Sequence, residues 1–228
     1  MNALLGGDHK YPMSIPLKSK TYIKEMYRFL PSSELNTRVA RLAVLYEDLR
    51  IEMFAIAEPS IPILDYTDEK YRRLYFVRRA IATLVEFRGA LMRINQCPEF
   101  STIKSRFTPV ELSQWQNSHK FFETNKEFFK KVRDDTGGHF QENAANYSLG
   151  NIVPSYPAMV DLVKEEEGAG IKLTFVGELV AVAITKHKEN QSREEYFELL
   201  IGLIRQGFEN ALIPTHIIFN HYLLEKFS

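Results

Sequence analysis

Apolar side chains recur every three to four residues along most of this chain, the spacing that places them on one face of an α-helix. The first such run follows Ser32 and Ser33, either of which can cap a helix N-terminus. The helix should end near Ala57, because Pro59 and Pro62 cannot continue it. Its apolar positions are Leu35, Val39, Leu42, Leu45, Leu49 and Phe54.

A second helix is predicted from Thr67, its N-cap, to about Asn95, and it is expected to be the longest of the chain. Its apolar seam consists of Tyr71, Leu74, Tyr75, Ile81, Leu84, Val85 and Leu91. The opposite face is rich in arginine, which favours a solvated face paired with acidic residues over the alternative of a phosphate-binding face. Those arginines are Arg72, Arg73, Arg78, Arg79, Arg88 and Arg93.

Thr108-Pro109-Val110-Glu111 is a capping box, a specific signal for the start of a helix. The helix that it opens should turn aromatic residues toward the core and should stop at Gly137-Gly138, since glycine readily adopts the backbone conformation that ends a helix. A further helix is predicted from His139 to about Ile152. The core-facing positions of the longer helix are Leu112, Trp115, Phe121, Phe122, Phe128, Phe129 and Val132.

The last third of the chain is less uniform. Residues 158–176 fit either a small β-hairpin around a Glu-Gly turn or two short helices, and the pattern slightly favours the hairpin. A helix over 176–187 should follow, and then a helix that starts at the capping box of Ser192 and Glu195 and runs to about Leu212. Pro214 is predicted to break the chain before a final short helix over 215–227.

Together these elements predict an all-α fold, a helical bundle in which the ambiguous segment leaves room for one small β-hairpin. Residues 1–31 are expected to form an irregular N-terminal arm, 32–153 the bundle, and 154–228 a C-terminal helical extension packed on it.

Charge and composition narrow the range of possible functions and locations of the protein. Lys plus Arg and Asp plus Glu both number 29, so the molecule as a whole has no field to steer it toward polyanions, and any such site must be local. No stretch reaches the roughly 18 apolar residues that cross a bilayer, and residues 1–20 lack the apolar core of a signal peptide. We therefore expect a cytoplasmic protein with no membrane partner. The lone Cys97 is expected to be a half-buried small hydrophobe, and no metal or cofactor is expected.

One segment carries candidate chemistry, Arg133-Asp134-Asp135-Thr136-Gly137-Gly138-His139, because the usual catalytic motifs with glycine-rich loops, zinc-binding histidines or a nucleophilic serine are absent from the sequence. On a continuous helix Arg133 and His139 would point about 120° apart. The two glycines would let the chain bend so that both side chains face one side. Three basic residues, Lys126, Lys130 and Lys131, precede Arg133 and form a local basic patch.

The pattern of Arg133, Asp134 and His139 resembles the signature of the HEPN superfamily, helical "higher eukaryotes and prokaryotes nucleotide-binding" domains in which an arginine, a polar residue and a histidine follow a long helix. The resemblance implies a metal-independent endoribonuclease of toxin-antitoxin or phage-defence systems, acting as a homodimer with two motifs in one cleft and controlled in some cases by a protein antitoxin. It implies His139 as general acid or base, Arg133 as the phosphate ligand and Asp134 as the group that orients either of them. Lys130 and Lys131 would bind the RNA substrate beside Arg133.

Two other interpretations remain open. The first is a non-catalytic HEPN-like domain that binds nucleotides or dimerises, since many members of the superfamily are inactive. The second is an unrelated helical interaction module. In that case the Arg133 charge interacts favourably with the dipole at the C-terminal end of its helix, Asp134 and Asp135 form a turn, and His139 caps the next helix. The partner surface of that module would include Phe208, Phe219 and Tyr222.

Overall fold

Four long helices make up most of the structure. They are α1 (Glu34–Ala57), α2 (Glu69–Asn95), α4 (Pro109–Thr136) and α7 (Arg193–Ile218). Helices α2 and α7 each pack against both α1 and α4 and against each other, which confirms the all-α helical bundle. The computed structural model describes residues 30–58, 69–136, 140–156, 158, 160–165, 168–173, 175–188 and 190–227. The predicted N-terminal arm lies outside these residues except for its last two positions.

Shorter elements complete the fold. They are α3 (Phe100–Lys104), α5 (Glu142–Asn151), β1 (Val160–Glu165), β2 (Gly168–Leu173) and α6 (Phe175–Ile184), which a 3-10 turn over Thr185–His187 extends. The two strands pair antiparallel, with Val160 opposite Leu173 and Glu165 opposite Gly168. Of the two structures considered for this segment, the β-hairpin is therefore confirmed and the pair of short helices is not. The turn of the hairpin, residues 166 and 167, lies outside the described residues.

Three of the predicted N-caps are present. The Ser33 hydroxyl accepts a hydrogen bond from the Asn36 amide at 3.1 Å. The Thr108 and Ser192 capping boxes are closed in both directions, through Glu111 and Glu195 respectively. Each cap satisfies backbone donors that a helix N-terminus otherwise leaves unpaired, so the starts of α1, α4 and α7 follow from local chemistry. The predicted cap Thr67 lies outside the described residues.

One continuous core joins these helices. It extends from Leu35 in α1 to Ile218 in α7, so α6 and α7 contribute to the same core as the first helices. Its largest fully buried side chains are Trp115, Tyr196, Phe87, Phe100, Phe122 and Phe129. The aromatic positions predicted for α4 account for a large part of it. Cys97 is also fully buried rather than half-buried.

Pro214 does not break the chain as predicted. Helix α7 runs through it to Ile218, and a π-helical turn (Phe219–Leu223) and a 3-10 turn (Leu224–Phe227) follow. An interior proline costs a helix roughly 3 kcal/mol in an isolated setting. Here the proline is buried, and the residues on both sides of it, Ala211 and Ile217, belong to the core, so their packing outweighs the lost backbone hydrogen bond.

The arginine face of α2 is only partly solvated. Arg72 and Arg78 are buried, contrary to the prediction, while Tyr75, predicted to belong to the apolar seam, is 41% exposed. Arg72 donates to the carbonyl oxygens of Ala55 and Glu58 at 3.0 and 2.9 Å, and so binds the C-terminal end of α1. The expectation that α2 is the longest helix is also wrong for the described residues, because α4 has 28 residues and α2 has 27.

The C-terminal segment returns to the start of the bundle. The Tyr222 hydroxyl donates to Oδ1 of Asn36 at 2.5 Å, near the N-terminus of α1. Arg106 forms an ion pair with Glu225 and donates to the His221 carbonyl, and Nε2 of His221 lies 3.0 Å from Oε1 of Glu111. Of the three aromatic residues assigned to a partner surface, Phe208 and Tyr222 are half-buried and only Phe219 is exposed.

Candidate functional site

A groove between α2 and α4 contains two of the predicted site residues. Lys126, Lys130 and Arg133 of α4 lie along one side, and Arg88 of α2 lies on the other. Positions 126, 130 and 133 share a helix face because they are spaced by four and three residues. The groove has a volume of about 320 Å³. Its remaining lining residues are Leu84, Val85, Phe122, Glu127 and Phe129, of which Leu84, Phe122 and Phe129 are buried in the core beneath it.

The cations of this groove differ in how far they are already neutralised. Nε of Arg88 donates to Oε1 of Glu123 at 2.8 Å, and Lys126 lies 3.5 Å from the same carboxylate. Lys130 is exposed and makes no ion pair with any described residue. Because Glu123 is shared by two cations, the groove retains positive charge.

Arg133 is held by the next residue along the chain. Its Nε and Nη2 donate to Oδ1 of Asp134 at 3.0 and 2.6 Å. A guanidinium has more N–H donors than one carboxylate oxygen can accept from, so donors remain for a second anion. The side chains are 35% and 51% exposed, which leaves the pair open to solvent and to exchange of partner.

Asp135, which the sequence interpretation treated only as a turn former, links the end of α4 to the 3-10 turn that follows α6. Its Oδ2 lies 2.6 Å from Nε2 of His187 and 3.2 Å from Nζ of Lys186. Asp135 and Arg133 are two residues apart on a helix, so their side chains point about 160° away from each other. His187 therefore contacts the side of α4 opposite the groove. No local pattern signals a contact between residues that are 52 positions apart.

The predicted site residues are thus brought together only in part. Lys130, Arg133 and Asp134 lie at or beside the groove, whereas Lys131 is exposed and does not line it, because one residue turns the helix by about 100°. His139 and both glycines before it lie outside the described residues. Helix α4 ends at Thr136. On the C-terminal side of residues 137–139, the Gln141 backbone amide donates a hydrogen bond to the Asp135 carbonyl at 3.5 Å.

A second polar cluster lies inside the bundle. Glu178 forms ion pairs with Lys70 and Arg193 and so links α6 to α2 and α7. Burial acts to raise the pKa of Glu178, but hydrogen bonds from Arg193 and Lys70 outweigh it and hold the pKa below its ordinary value. Because both partners are cations already engaged by one carboxylate, the cluster serves as a structural link.

One group of side chains among the described residues has the composition of a metal site, Glu34, Cys97 and Glu99, whose ligand atoms lie within 4.8 Å of one another. Sγ of Cys97 donates to Oε2 of Glu99 at 2.7 Å, and burial raises the pKa of this thiol. The group that binds a metal is the thiolate, which this environment disfavours. We therefore assign no metal to these residues.

The helices of the described residues include none that is both long and apolar enough to cross a membrane. Comparisons of the chain with protein-family models, with curated proteins and with solved structures found no match.

Proposed function

We propose that this chain is a HEPN-like RNA-binding protein, and that the groove between α2 and α4 holds the phosphate backbone of a single strand. The observation that carries the proposal is the row of Lys126, Lys130 and Arg133, which faces Arg88 across the groove. Cations neutralise phosphates, so a row of this kind suits the backbone of single-stranded RNA.

The resemblance to the HEPN superfamily extends the proposal to cleavage. Arg133 would stabilise the negative charge that develops on the scissile phosphate, using the donors that Asp134 leaves free. His139, three residues beyond the end of α4, would exchange protons with the ribose 2′-OH or the leaving oxygen. The reaction needs one acid and one base, which a homodimer with two copies of the motif in one cleft would supply.

A non-catalytic binding module is the second candidate, and the Arg133–Asp134 pair favours it. In this arrangement a carboxylate already occupies part of the guanidinium that would have to meet the phosphate. A protein of this kind would bind RNA through the groove without cutting it.

RNA binding is tested by fluorescence anisotropy with a labelled single-stranded RNA. A Lys130→Ala/Arg133→Ala variant should bind about tenfold more weakly, and its salt dependence should be shallower by about 1.4 in the log-log slope, or about 0.7 for each lost phosphate contact. The matched control is Lys131→Ala, which removes a lysine next to the groove but not in it. Equal affinity of the double variant and the wild type contradicts RNA binding in this groove.

Cleavage is tested with total RNA in the presence of EDTA, comparing the wild type with His139→Ala. The ribonuclease proposal requires cleavage by the wild type and its loss in the variant. Binding without cleavage in both proteins supports the second candidate instead. Cleavage that is equal in both removes His139 from the mechanism.

A further inference from the structure

We propose that the RNA strand bound between α2 and α4 continues across the outer face of α2 into a second basic groove, between α1 and α2, so that the protein binds an extended strand rather than a nucleotide. This inference rests on the proposed function of the first groove. It adds an RNA-binding surface that none of the predicted site residues touches.

The second groove is the larger of the two, with a volume of about 810 Å³. Arg38 and Arg41 of α1 lie on one side and Arg93 of α2 on the other. Its remaining lining residues are mainly polar, a composition that suits a phosphate backbone: Ser32, Ser33, Glu34, Thr37, Ala90 and Gln96.

The three arginines are available to an anion to different degrees. Arg38 donates to the Arg93 carbonyl and pairs with Glu34, so it is fixed across the groove. Arg41 lies 3.5 Å from Glu86, and both side chains are more than two-fifths exposed, at 43% and 56%. Exposed pairs of this kind are weak, so a phosphate can replace the carboxylate. Arg93 is exposed and makes no ion pair with any described residue.

The outer face of α2 joins the grooves without a barrier. Val85 lines the first groove and Arg93 lines the second, and Gly89 lies between them on the same helix face, four residues from each. A methyl group placed at Gly89 would have no atom within 4 Å, so the surface there is open. Arg88 and Arg93 are separated by roughly 7.5 Å along the helix axis and by about 140° around it, a path that several nucleotides of an extended strand can span.

Charge also distinguishes this face within a chain of zero net charge. The two grooves are lined by seven cationic side chains, and five carboxylates lie on the grooves or pair with those cations. The cations are Arg38, Arg41, Arg88, Arg93, Lys126, Lys130 and Arg133, and the carboxylates are Glu34, Glu86, Glu123, Glu127 and Asp134. The excess positive charge is concentrated where a strand would run, which is the local site that a neutral protein needs.

The experiment compares two lengths of labelled oligouridine, one of about 3 nucleotides that is too short to occupy both grooves and one of about 18 that spans both. Arg41→Ala/Arg93→Ala should bind the long strand about tenfold more weakly and with a shallower salt dependence, and the short strand as the wild type does. Arg41→Lys/Arg93→Lys should retain most of the affinity because it keeps the charge. Arg50→Ala/Arg205→Ala removes two exposed arginines outside both grooves and should change neither affinity.

The outcomes separate this inference from the proposed function. If the Arg41/Arg93 variant binds the long strand as tightly as the wild type, while Lys130→Ala/Arg133→Ala weakens both lengths, the second groove is not part of the RNA site and the first groove remains. Equal weakening of both lengths by the Arg41/Arg93 variant also overturns the continuous track. If the wild type binds neither strand, both proposals fail.

Discussion

Glu52 is a carboxylic acid placed inside the interface of α1 and α2, where it is only 5% exposed. Oε1 accepts a hydrogen bond from the Thr83 hydroxyl at 2.9 Å and lies 3.6 Å from Nε of Arg79. Oε2 is buried and has no partner among the described residues. Burial raises the pKa of Glu52 to about 7, against the opposing effects of Thr83 and Arg79.

This pKa shift makes stability depend on pH. The folded state holds the Glu52 proton more tightly than the unfolded chain, whose ordinary pKa is near 4.5. The free energy of unfolding should therefore fall by an amount on the order of 2 kcal/mol as the pH rises from about 4.5 to about 7. Above that range it should remain at the lower value. Glu52→Gln keeps the acceptor for Thr83 without a charge, so its advantage over the wild type should grow between pH 5 and pH 8 in urea unfolding.

The matched control for Glu52 is Glu47→Gln on the same helix. Glu47 is 58% exposed and pairs with Arg50, so removing its charge should leave the pH dependence of the wild type in place. A Glu52→Gln variant whose stability changes with pH exactly as that of the wild type would show that Glu52 is ionised in the folded protein throughout this range.

Arg72 is the second residue whose environment determines its role. Its guanidinium binds two carbonyl oxygens at the end of α1, groups that the helix itself leaves unpaired. Arg72→Met keeps much of the apolar stem but removes these donors, and it should lower the free energy of unfolding by about 2 to 3 kcal/mol in chemical denaturation. Arg50→Met, at an exposed position, should cost less than about 1 kcal/mol. Similar losses in both variants would mean that Arg72 does not bind the end of α1 in solution.

At the scale of the elements, α7 crosses α2 at a glycine. A methyl group placed at Gly207 lies 2.8 Å from both Cδ atoms of Leu84, a fully buried side chain that would have to shift to make room for it. Gly202, on the same helix, has no atom within 4 Å of such a methyl group. The same substitution should therefore have opposite effects at the two positions.

Gly207→Ala should destabilise the protein by about 1 to 3 kcal/mol, because overpacking at the crossing outweighs the better helix propensity of alanine. Gly202→Ala should stabilise it by about 0.5 to 1 kcal/mol, because only the propensity changes. Thermal unfolding of the two variants measures both effects. A stabilising Gly207→Ala would contradict the close approach of α7 to α2.

The sequence predicts those elements best whose limits are set by neighbouring residues. The caps at Ser33, Thr108 and Ser192 each need a partner only three positions away, so a local pattern is sufficient. The predicted break at Pro214 is wrong because the packing of distant residues decides whether the helix continues. A local pattern does not contain that information. The burial of Arg72 escapes prediction for the same reason, since its partners belong to another helix.

The candidate site follows the same rule. Helical spacing places Lys126, Lys130 and Arg133 on one face, and it also separates Lys131 from them, which the sequence interpretation overlooked. The contribution of Arg88, and the contact of Asp135 with His187, depend on how α2 and α6 pack on α4. The part of the motif that would carry acid–base chemistry, His139, stays a prediction.

At the scale of the whole molecule, the helices first and last in the described bundle are tied together by Tyr222 and Asn36, which are 186 positions apart. Tyr222→Phe removes one hydrogen bond and leaves Oδ1 of the buried Asn36 without it, which should cost about 1 kcal/mol. Stopped-flow unfolding should be roughly fivefold faster in the variant, while the folding rate stays close to that of the wild type. A variant that folds more slowly and unfolds at the normal rate would contradict this assignment.

The reason lies in the order in which contacts form. Closing so long a loop before the bundle exists has a large entropic cost, so the Tyr222–Asn36 contact should form after the transition state for folding, when local helices have already docked. Such late contacts stabilise the native state but not the transition state. They set the lifetime of the native state and have little influence on the speed at which the chain reaches it.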